Sequence, residues 1–426
     1  MASQSKVSRR DFIAKSALFA GLPYIIPSGV LAQPGRPGAN DRISIGHIGV
    51  GGMGSGHVHA DAVALCDVDQ GHLADVAKRV QGKPFLCTDY RRLLERKDVD
   101  AVMIATPDHW HALQMVHACQ AGKDVYTEKP TCRTIEEGQA MINAARRYGR
   151  VVQVGAQGRS TSAGHAACTY IRNGQLGKVS RVEVWHPESM GEGSWGQEGP
   201  APASLDWNLW LGPMRWREYN PSICHFNFRW LMDSGGGFIR DRGNHALNIV
   251  FWCLNLDGKG PVSVKATAEP YEDAVYDAPK RLHATWTFRD PDLTVTWDQP
   301  GKSYNGIEWG ERFVGSRDTL IVAGGDGGCD TEQKAKDFRV TAGGVEVPRS
   351  TDHRQNWLDC IRSRRKPIAD IEALVSVVTL PITALIAARL GRELQFDPAA
   401  HRFVGDEEAN RLLSEPYRAP WRLDGV

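Results

Sequence analysis

The strongest constraint on the fold lies between residues 42 and 67. Residues 42–48, Arg-Ile-Ser-Ile-Gly-His-Ile, alternate into a short strand, and Gly49-Val50-Gly51-Gly52-Met53-Gly54 follows at once. Glycines at this spacing, directly after a strand, allow a tight turn and a close approach of backbone N–H groups to a pyrophosphate. Gly49, Gly51, Gly52, Met53 and Gly54 are therefore candidate phosphate contacts. A second apolar run, residues 62–66, ends at Asp67. A carboxylate there can hydrogen-bond both ribose hydroxyls of an adenosine, and Asp67 with Asp69 would repel a 2′-phosphate. The pattern points to NAD rather than NADP. Asp67 follows Gly51 by 16 residues, where the fingerprint has about 20, so the first helix must be short.

Alternation continues beyond Asp67. Residues 90–97 read as a helix and 101–105 as a buried strand ending in Thr106-Pro107-Asp108-His109. Residues 111–121 read as a helix, and 124–127 as a strand ending in Glu128-Lys129-Pro130. Thr134 and Glu137 form a capping box for a helix to residue 148, before a strand at 151–154. Strands and helices in this order make a parallel sheet wrapped by helices. Ligands of such sheets lie at the carboxyl ends of the strands. Thr106, Pro107, Glu128 and Lys129 should therefore converge with the glycine loop, across a Rossmann domain at residues 42–157.

Ahead of it, Ser8-Arg9-Arg10-Asp11-Phe12-Ile13-Ala14-Lys15 leads an apolar stretch at 16–26, then Val30-Leu31-Ala32. This order resembles a twin-arginine signal over residues 1–32, cleaved near Ala32, with a Pro/Gly linker at 33–41. It implies the twin-arginine export machinery as a partner and a periplasmic or otherwise exported location. No later run reaches about 18 uninterrupted apolar residues, so no membrane span is expected. Lys plus Arg total 51 and Asp plus Glu 50, a balance that offers no electrostatic pull towards nucleic acid. Nine scattered cysteines without a C-x-x-C read as small buried hydrophobes. The H-x-H pairs, His57/His59 and His109/His111, lack a supporting ligand spacing, so no metal is expected.

Taken in order, the glycine loop, Asp67, Thr106-Pro107, Glu128-Lys129-Pro130 and Asp241-Arg242-Gly243-Asn244-His245 resemble the Gfo/Idh/MocA oxidoreductases. Residues 206–213, Tyr219-Asn220-Pro221 and residues 402–406 are similar to a signal-bearing bacterial branch of that family. The resemblance covers the chain from about residue 42 onward. It implies an α/β Rossmann domain followed, over residues 158–426, by an α+β substrate and oligomerisation domain with an open, mostly antiparallel sheet. It also implies a C-terminal helix packing back on the first domain and a homo-dimer or homo-tetramer. Independently, residues 179–186, 262–269, 283–289, 293–298 and 312–315 alternate as half-buried strands do. Residues 354–390 are helical in pattern, interrupted at Pro367 and Pro381.

Asp241, His245 and Asn248 share one helix face, and a carboxylate one turn before a histidine can orient its ring and stabilise its cation. By resemblance His245 is the base and Asp241 its partner or a sugar ligand; Lys129 stands beside the substrate and His109 at the nicotinamide. The branch usually has Asp where this chain has Asn248. Six of the 13 Trp fall at 185, 195, 207, 210, 216 and 230, interleaved with His225, Asn227 and Arg229. Aromatic faces with hydrogen-bonding neighbours suit a sugar ring. Gln157, Arg159, Trp207, Tyr219, Arg229, Trp230 and Asn248 are the candidate substrate contacts. Three functions fit: net hydride transfer between NAD and a sugar or polyol hydroxyl carbon, an NAD-dependent glycosidase or epimerase with only transient oxidation, and a non-catalytic sugar-binding relative.

Overall fold

Six strands form the first sheet: β1 (Ile45–Ile48), β2 (Ala64–Cys66), β3 (Phe85–Cys87), β4 (Ala101–Ile104), β5 (Asp124–Thr127) and β6 (Val152–Val154). The computed structural model that defines them describes Gly38 and residues 42–188, 196–271, 275–325 and 328–423. The arginine pair, the apolar stretch, the cleavage site and Trp195 lie outside the described residues. Strand order is β3-β2-β1-β4-β5-β6, all parallel. Every residue of β1, β4 and β5 is buried, as expected where helices cover both faces of a parallel sheet. The order reverses between β1 and β4, which opens a crevice at their carboxyl ends.

The helix after the glycine loop is Gly52–His57, six residues long, which accounts for the early arrival of Asp67. Thr134 caps the helix Ile135–Arg147 by accepting from the Glu137 N–H. The Glu137 carboxylate does not close the expected capping box. It accepts from the Arg133 N–H at 2.7 Å and from the Arg133 guanidinium at 2.9 Å, because a buried guanidinium needs a counter-charge more than the cap needs a second bond. Strand β3 and the helix Gln70–Ala77 have no clear periodicity in the sequence.

The second sheet has nine strands: β7 (Val179–Trp185), β8 (Ser263–Glu269), β9 (Arg281–Phe288), β10 (Leu293–Gln299), β11 (Gly310–Gly315), β12 (Thr319–Gly325), β13 (Gly328–Thr331), β14 (Leu394–Asp397) and β15 (Arg402–Phe403). Their order is β13-β12-β11-β7-β10-β9-β8-β14-β15. Only β7 and β10 pair in parallel; the other neighbours are antiparallel. Leu282, Ala284, Trp286 and Phe288 of β9 point into the core, while His283 and Thr285 face outward. The inner face is covered by the helices Ser162–Arg172, Arg242–Leu254 and Ile371–Leu390.

The helix Ile371–Leu390 joins the two sheets. Trp286 Nε1 donates to the Leu380 carbonyl at 3.1 Å, and on the other side Thr131 Oγ1 donates to the Leu374 carbonyl at 3.3 Å. Just before the helix, the Val154 N–H donates to the Ala369 carbonyl at 2.9 Å. Among the described residues this is the one helix long and apolar enough to cross a membrane, with mean hydropathy 2.1, yet most of it is buried in the core. The expected interruption at Pro381 does not occur; Pro381 lies inside the helix. Packing on both sides holds the helix together through the missing N–H. The break near Pro367 is present, between the helix His353–Ser363 and the Asp370 cap.

Candidate active site

The carboxyl ends of β1, β2, β4 and β5 open onto one cleft of about 370 Å³. Its first end is mostly backbone. Gly49 has φ +80°, and a Cβ there would lie 2.8 Å from the Ala105 backbone; a Cβ on Gly54 would lie 2.0 Å from the Gly49 carbonyl oxygen. Only glycines permit this turn. Gly54 packs under the turn, while Gly49, Gly51, Gly52 and Met53 line the cleft. Asp67 holds the loop in place: its Oδ2 accepts from Val50 N–H at 2.8 Å and Gly51 N–H at 3.1 Å. Asp67 and Asp89 line this end together, an acidic environment that favours an adenosine with free ribose hydroxyls over a 2′-phosphate. The glycine cradle and the ribose carboxylate fit NAD.

At the other end the charges are side chains from distant segments. Lys129 Nζ donates to Asp241 Oδ1, and Arg229 Nε approaches Asp241 Oδ2 at 3.4 Å. Burial would push the Asp241 carboxyl up, but Lys129, Arg229 and His245 hold it well below the usual carboxylate range. Glu128 behaves alike: burial is overcome by its hydrogen bond to His57 and by the charges of Lys129 and His245. Its Oε1 takes His57 Nε2 at 2.9 Å and Gln157 Nε2 at 3.0 Å. His111 pins the two strand ends together, with Nδ1 2.7 Å from the Pro130 carbonyl and Nε2 2.8 Å from the Thr106 carbonyl. The Lys129–Pro130 peptide is cis.

Thr106, Pro107, Glu128, Lys129, Arg229 and Asp241 thus share the reactive end of the cleft. His245 is buried one turn into the helix Arg242–Leu254, behind the cleft wall and near enough for its charge to act on Asp241 and Glu128. Gln157 is held against Glu128 and Tyr126. Other expected contacts are elsewhere. His109 is fully buried, its Nε2 2.9 Å from the Trp210 carbonyl, and burial depresses its ring pKa well below the ordinary value. The 3₁₀ turn Asp108–Trp110 rotates His109 inward and leaves Asp108 and Trp110 on the cleft. Arg159 and Asn248 form a buried tie: Arg159 Nε donates to Asn248 Oδ1 at 2.6 Å, and its two terminal nitrogens reach Asp257 at 2.7 Å. Trp207 stacks on Trp210 at 4.7 Å, Tyr219 meets Trp207 edge-on, and Trp230 packs on Phe238. These rings support the cleft rather than line it; Trp210 and Leu209 form that wall.

Several wall residues are not among the candidate site residues read from the sequence: Asp108, Leu209, Trp210, His225 and Phe226. Neither H-x-H pair gathers ligands, since His57 serves Glu128 and both ring nitrogens of His111 are used by carbonyls. A different trio from both halves, Asp69, His72 and His225, does converge beside Asp67. His225 Nε2 is 3.2 Å from Asp69 Oδ2, and the two imidazole centroids are 4.6 Å apart.

A parallel sheet with an NAD cradle, joined to an open-sheet domain whose helix N-cap and 3₁₀ turn bring Asp241 and Arg229 to the same cleft, defines a two-domain nicotinamide-dependent class. Residues 43–156 match the oxidoreductase family's NAD-binding Rossmann fold, and residues 184–423 match its C-terminal alpha/beta domain. The chain belongs to the Gfo/Idh/MocA oxidoreductase family, and its cofactor is NAD.

Among solved structures, the WlbA dehydrogenase of Bordetella pertussis, in complex with NADH and UDP-GlcNAcA, aligns with TM-score 0.61 at 19% identity over 84% of this chain and 99% of that one. A levoglucosan dehydrogenase, complexed with NADH and L-sorbose, aligns with TM-score 0.61 at 16% identity over 84% and 100%. Among curated relatives, a glycosyl hydrolase family 109 protein of Shewanella pealeana is 34% identical over 171 residues, 33% of this chain and 38% of the relative. The alpha-N-acetylgalactosaminidase of Shewanella oneidensis is 35% identical over 120 residues, 25% of this chain and 26% of the relative. The chain therefore spans well under half the length of the curated relatives it matches.

Proposed function

We propose that this protein uses bound NAD to oxidise a CH–OH carbon of a sugar or glycoside. The observation that carries this is the Lys129–Asp241 pair, flanked by Arg229, at the end of the cleft away from Asp67. NAD supplies the hydride acceptor. Lys129 and Asp241 face the reacting hydroxyl, and the Lys129 charge stabilises the oxygen as its proton leaves. His245 backs them as the sink for that proton, with Asp241 compensating the imidazolium.

The relatives named glycosyl hydrolase family 109 favour one form of this reaction. The hydride returns within the same cycle, and the net change is glycoside cleavage. Mixing purified protein, with its own cofactor, against a panel of p-nitrophenyl glycosides tests both forms. Continuous p-nitrophenol release without accumulating NADH supports the closed cycle. A stoichiometric NADH burst that stops after one turnover, and restarts only with added NAD, leaves an ordinary dehydrogenase. No change in either signal rejects the reading.

The Arg9-Arg10 pair supports twin-arginine export and a periplasmic location. Replacing both with Lys should trap folded precursor in the cytoplasm; undiminished export would reject this. The open nine-stranded sheet, whose outward face the family resemblance assigns to subunit contacts, supports a homo-dimer or homo-tetramer. Sedimentation of a monomer at micromolar concentration would overturn that.

A further inference from the structure

One acidic side chain on the cleft wall has no part in the network above. Asp108 follows β4 in the 3₁₀ turn Asp108–Trp110 and is 5% exposed. It lines the same cleft as Lys129, Asp241 and Arg229. Among the described residues, burial and the charges of His111, Arg240, Arg229 and Asp241 act on its carboxyl group, with no hydrogen bond among them, and the residue lies on the cleft lining. The other carboxylates at this end are engaged: Asp241 by Lys129 and Arg229, Glu128 by His57 and Gln157. A buried carboxyl without a protein partner, open to a substrate cleft, has its hydrogen-bonding capacity left for what enters the cleft.

We propose that Asp108 is a second proton-transfer group, which moves the proton of the sugar carbon next to the oxidised one. This rests on the closed-cycle reading above. Once the hydroxyl carbon is a ketone, the neighbouring C–H is acidic. The Asp108 carboxylate takes that proton, and the electron pair left behind forms a C=C bond. The bond between the next carbon and the aglycone oxygen breaks, with its electrons going to the oxygen. The now neutral Asp108 returns the proton to the departing oxygen. Water then adds: its oxygen bonds to the carbon the aglycone left, and one of its protons goes through Asp108 to the neighbouring carbon. Reduction of the ketone, the reverse of its formation, closes the cycle with no net redox change.

The electrostatics suit a group that must both accept and donate. Burial pushes the Asp108 carboxyl up to about 6, with the nearby Asp241 charge adding to that and His111, Arg240 and Arg229 opposing it. Proton transfer is most efficient when the group titrates near the working pH. The two proton tasks are thereby separated: Lys129, Asp241 and His245 handle the hydroxyl, and Asp108 handles the carbon.

The test uses the holoprotein and the most rapidly cleaved p-nitrophenyl glycoside of the panel, in D2O. Wild-type product should carry one carbon-bound deuterium, read by mass and NMR. Asp108→Asn should lower turnover and deuterium incorporation on the order of 100-fold or more, the scale of a lost acid–base group. The bound NADH formed on mixing should reach at least the wild-type level, because the hydride step precedes the lost one. Asp108→Glu, which retains the carboxyl, should recover part of the turnover. Near wild-type turnover in Asp108→Asn would overturn the assignment. So would loss of the NADH burst in proportion to turnover, which would make Asp108 a cofactor or structural contact. Wild-type product without carbon-bound deuterium, or no glycoside cleaved at all, would reject the closed cycle and this role with it.

Discussion

The molecule buries acidic side chains in two regions and treats them in opposite ways. At the reactive end of the cleft, Asp241 and Glu128 are buried among Lys129, Arg229, His57 and His245, and stay ionised. On the inner side of the nine-stranded sheet, Glu311 of β11 is 1% exposed, and neither of its oxygens has a hydrogen-bond partner. Burial alone pushes its carboxyl well above the ordinary value, which favours the neutral form. Burial of an acid therefore does not mark a site. Convergence of cations from separate segments marks an acid whose charge is retained where water is excluded, and a place on the cleft lining marks Asp108. Asp67 falls between the two: its side chain is 9% exposed, backbone N–H groups hold its Oδ2, and His72 Nδ1 stands 3.6 Å from its Oδ1.

The comparison can be broken most severely at Lys129. Lys129→Met should lower turnover by about 10²–10³-fold, the usual cost of losing a group that stabilises a developing oxyanion, with the fold and NAD content kept. A variant within a few-fold of wild type would mean that the cation cluster is structural. Asp67→Ala comes next. It should weaken NAD binding by about 1.5–3 kcal/mol, or roughly ten- to a hundredfold in Kd, and leave NADP binding unchanged or improved. Calorimetric titration of protein stripped of cofactor checks this, and tighter binding of NADP than NAD by wild type would overturn the role given to Asp67.

The smallest effect concerns Glu311. Its carboxyl titrates higher in the folded than in the unfolded chain. The folded state thus keeps a proton that the unfolded state loses once pH rises past the ordinary glutamate value. Glu311 therefore costs stability increasingly above that pH, and not below it. Glu311→Gln should raise Tm at pH 8 more than at pH 5, by about 1 °C per kcal/mol gained for a chain of this length. An equal change at both pH values would show that Glu311 has a counter-charge after all.

The cofactor end was legible because its determinants are local. Gly49 to Gly54 and Asp67 lie within one β-α-β segment, and the strand ends at Thr106 and Glu128 follow from apolar runs and their boundaries. The reactive end was legible only through the ordered motifs at Lys129 and Asp241, since nothing in 111 intervening residues predicts their contact. His109 was misplaced because a 3₁₀ turn after β4 decides which neighbour faces the cleft, and periodicity carries no information over three residues. Asp108 had a readable signal, a carboxylate at the carboxyl end of a parallel strand, but its burial without a partner is a property of the fold. Arg159 and Asn248 looked like ligands because both are polar and near motifs. Asp257, which claims the guanidinium, lies 98 residues away. Pro381 read as a breaker because a single sequence does not show the packing that holds its helix.

Near the adenosine end, Leu205 bridges to Asp69, the Gln70 N–H donates to the Ser204 carbonyl at 2.9 Å, and the Asp206 N–H donates to the Val68 carbonyl at 3.0 Å. Trp421 closes on Trp110 with ring centroids 4.8 Å apart. The parallel sheet is made early in synthesis, but its ligand chamber is walled by segments that emerge from the ribosome much later. Capturing the dinucleotide is therefore a maturation event rather than a property of a nascent domain. A growing chain that exposes only the glycine loop and Asp67 offers the nucleotide a ledge instead of an enclosure. Commitment to the cofactor then waits until residues around 209 and 225 have been delivered and folded back.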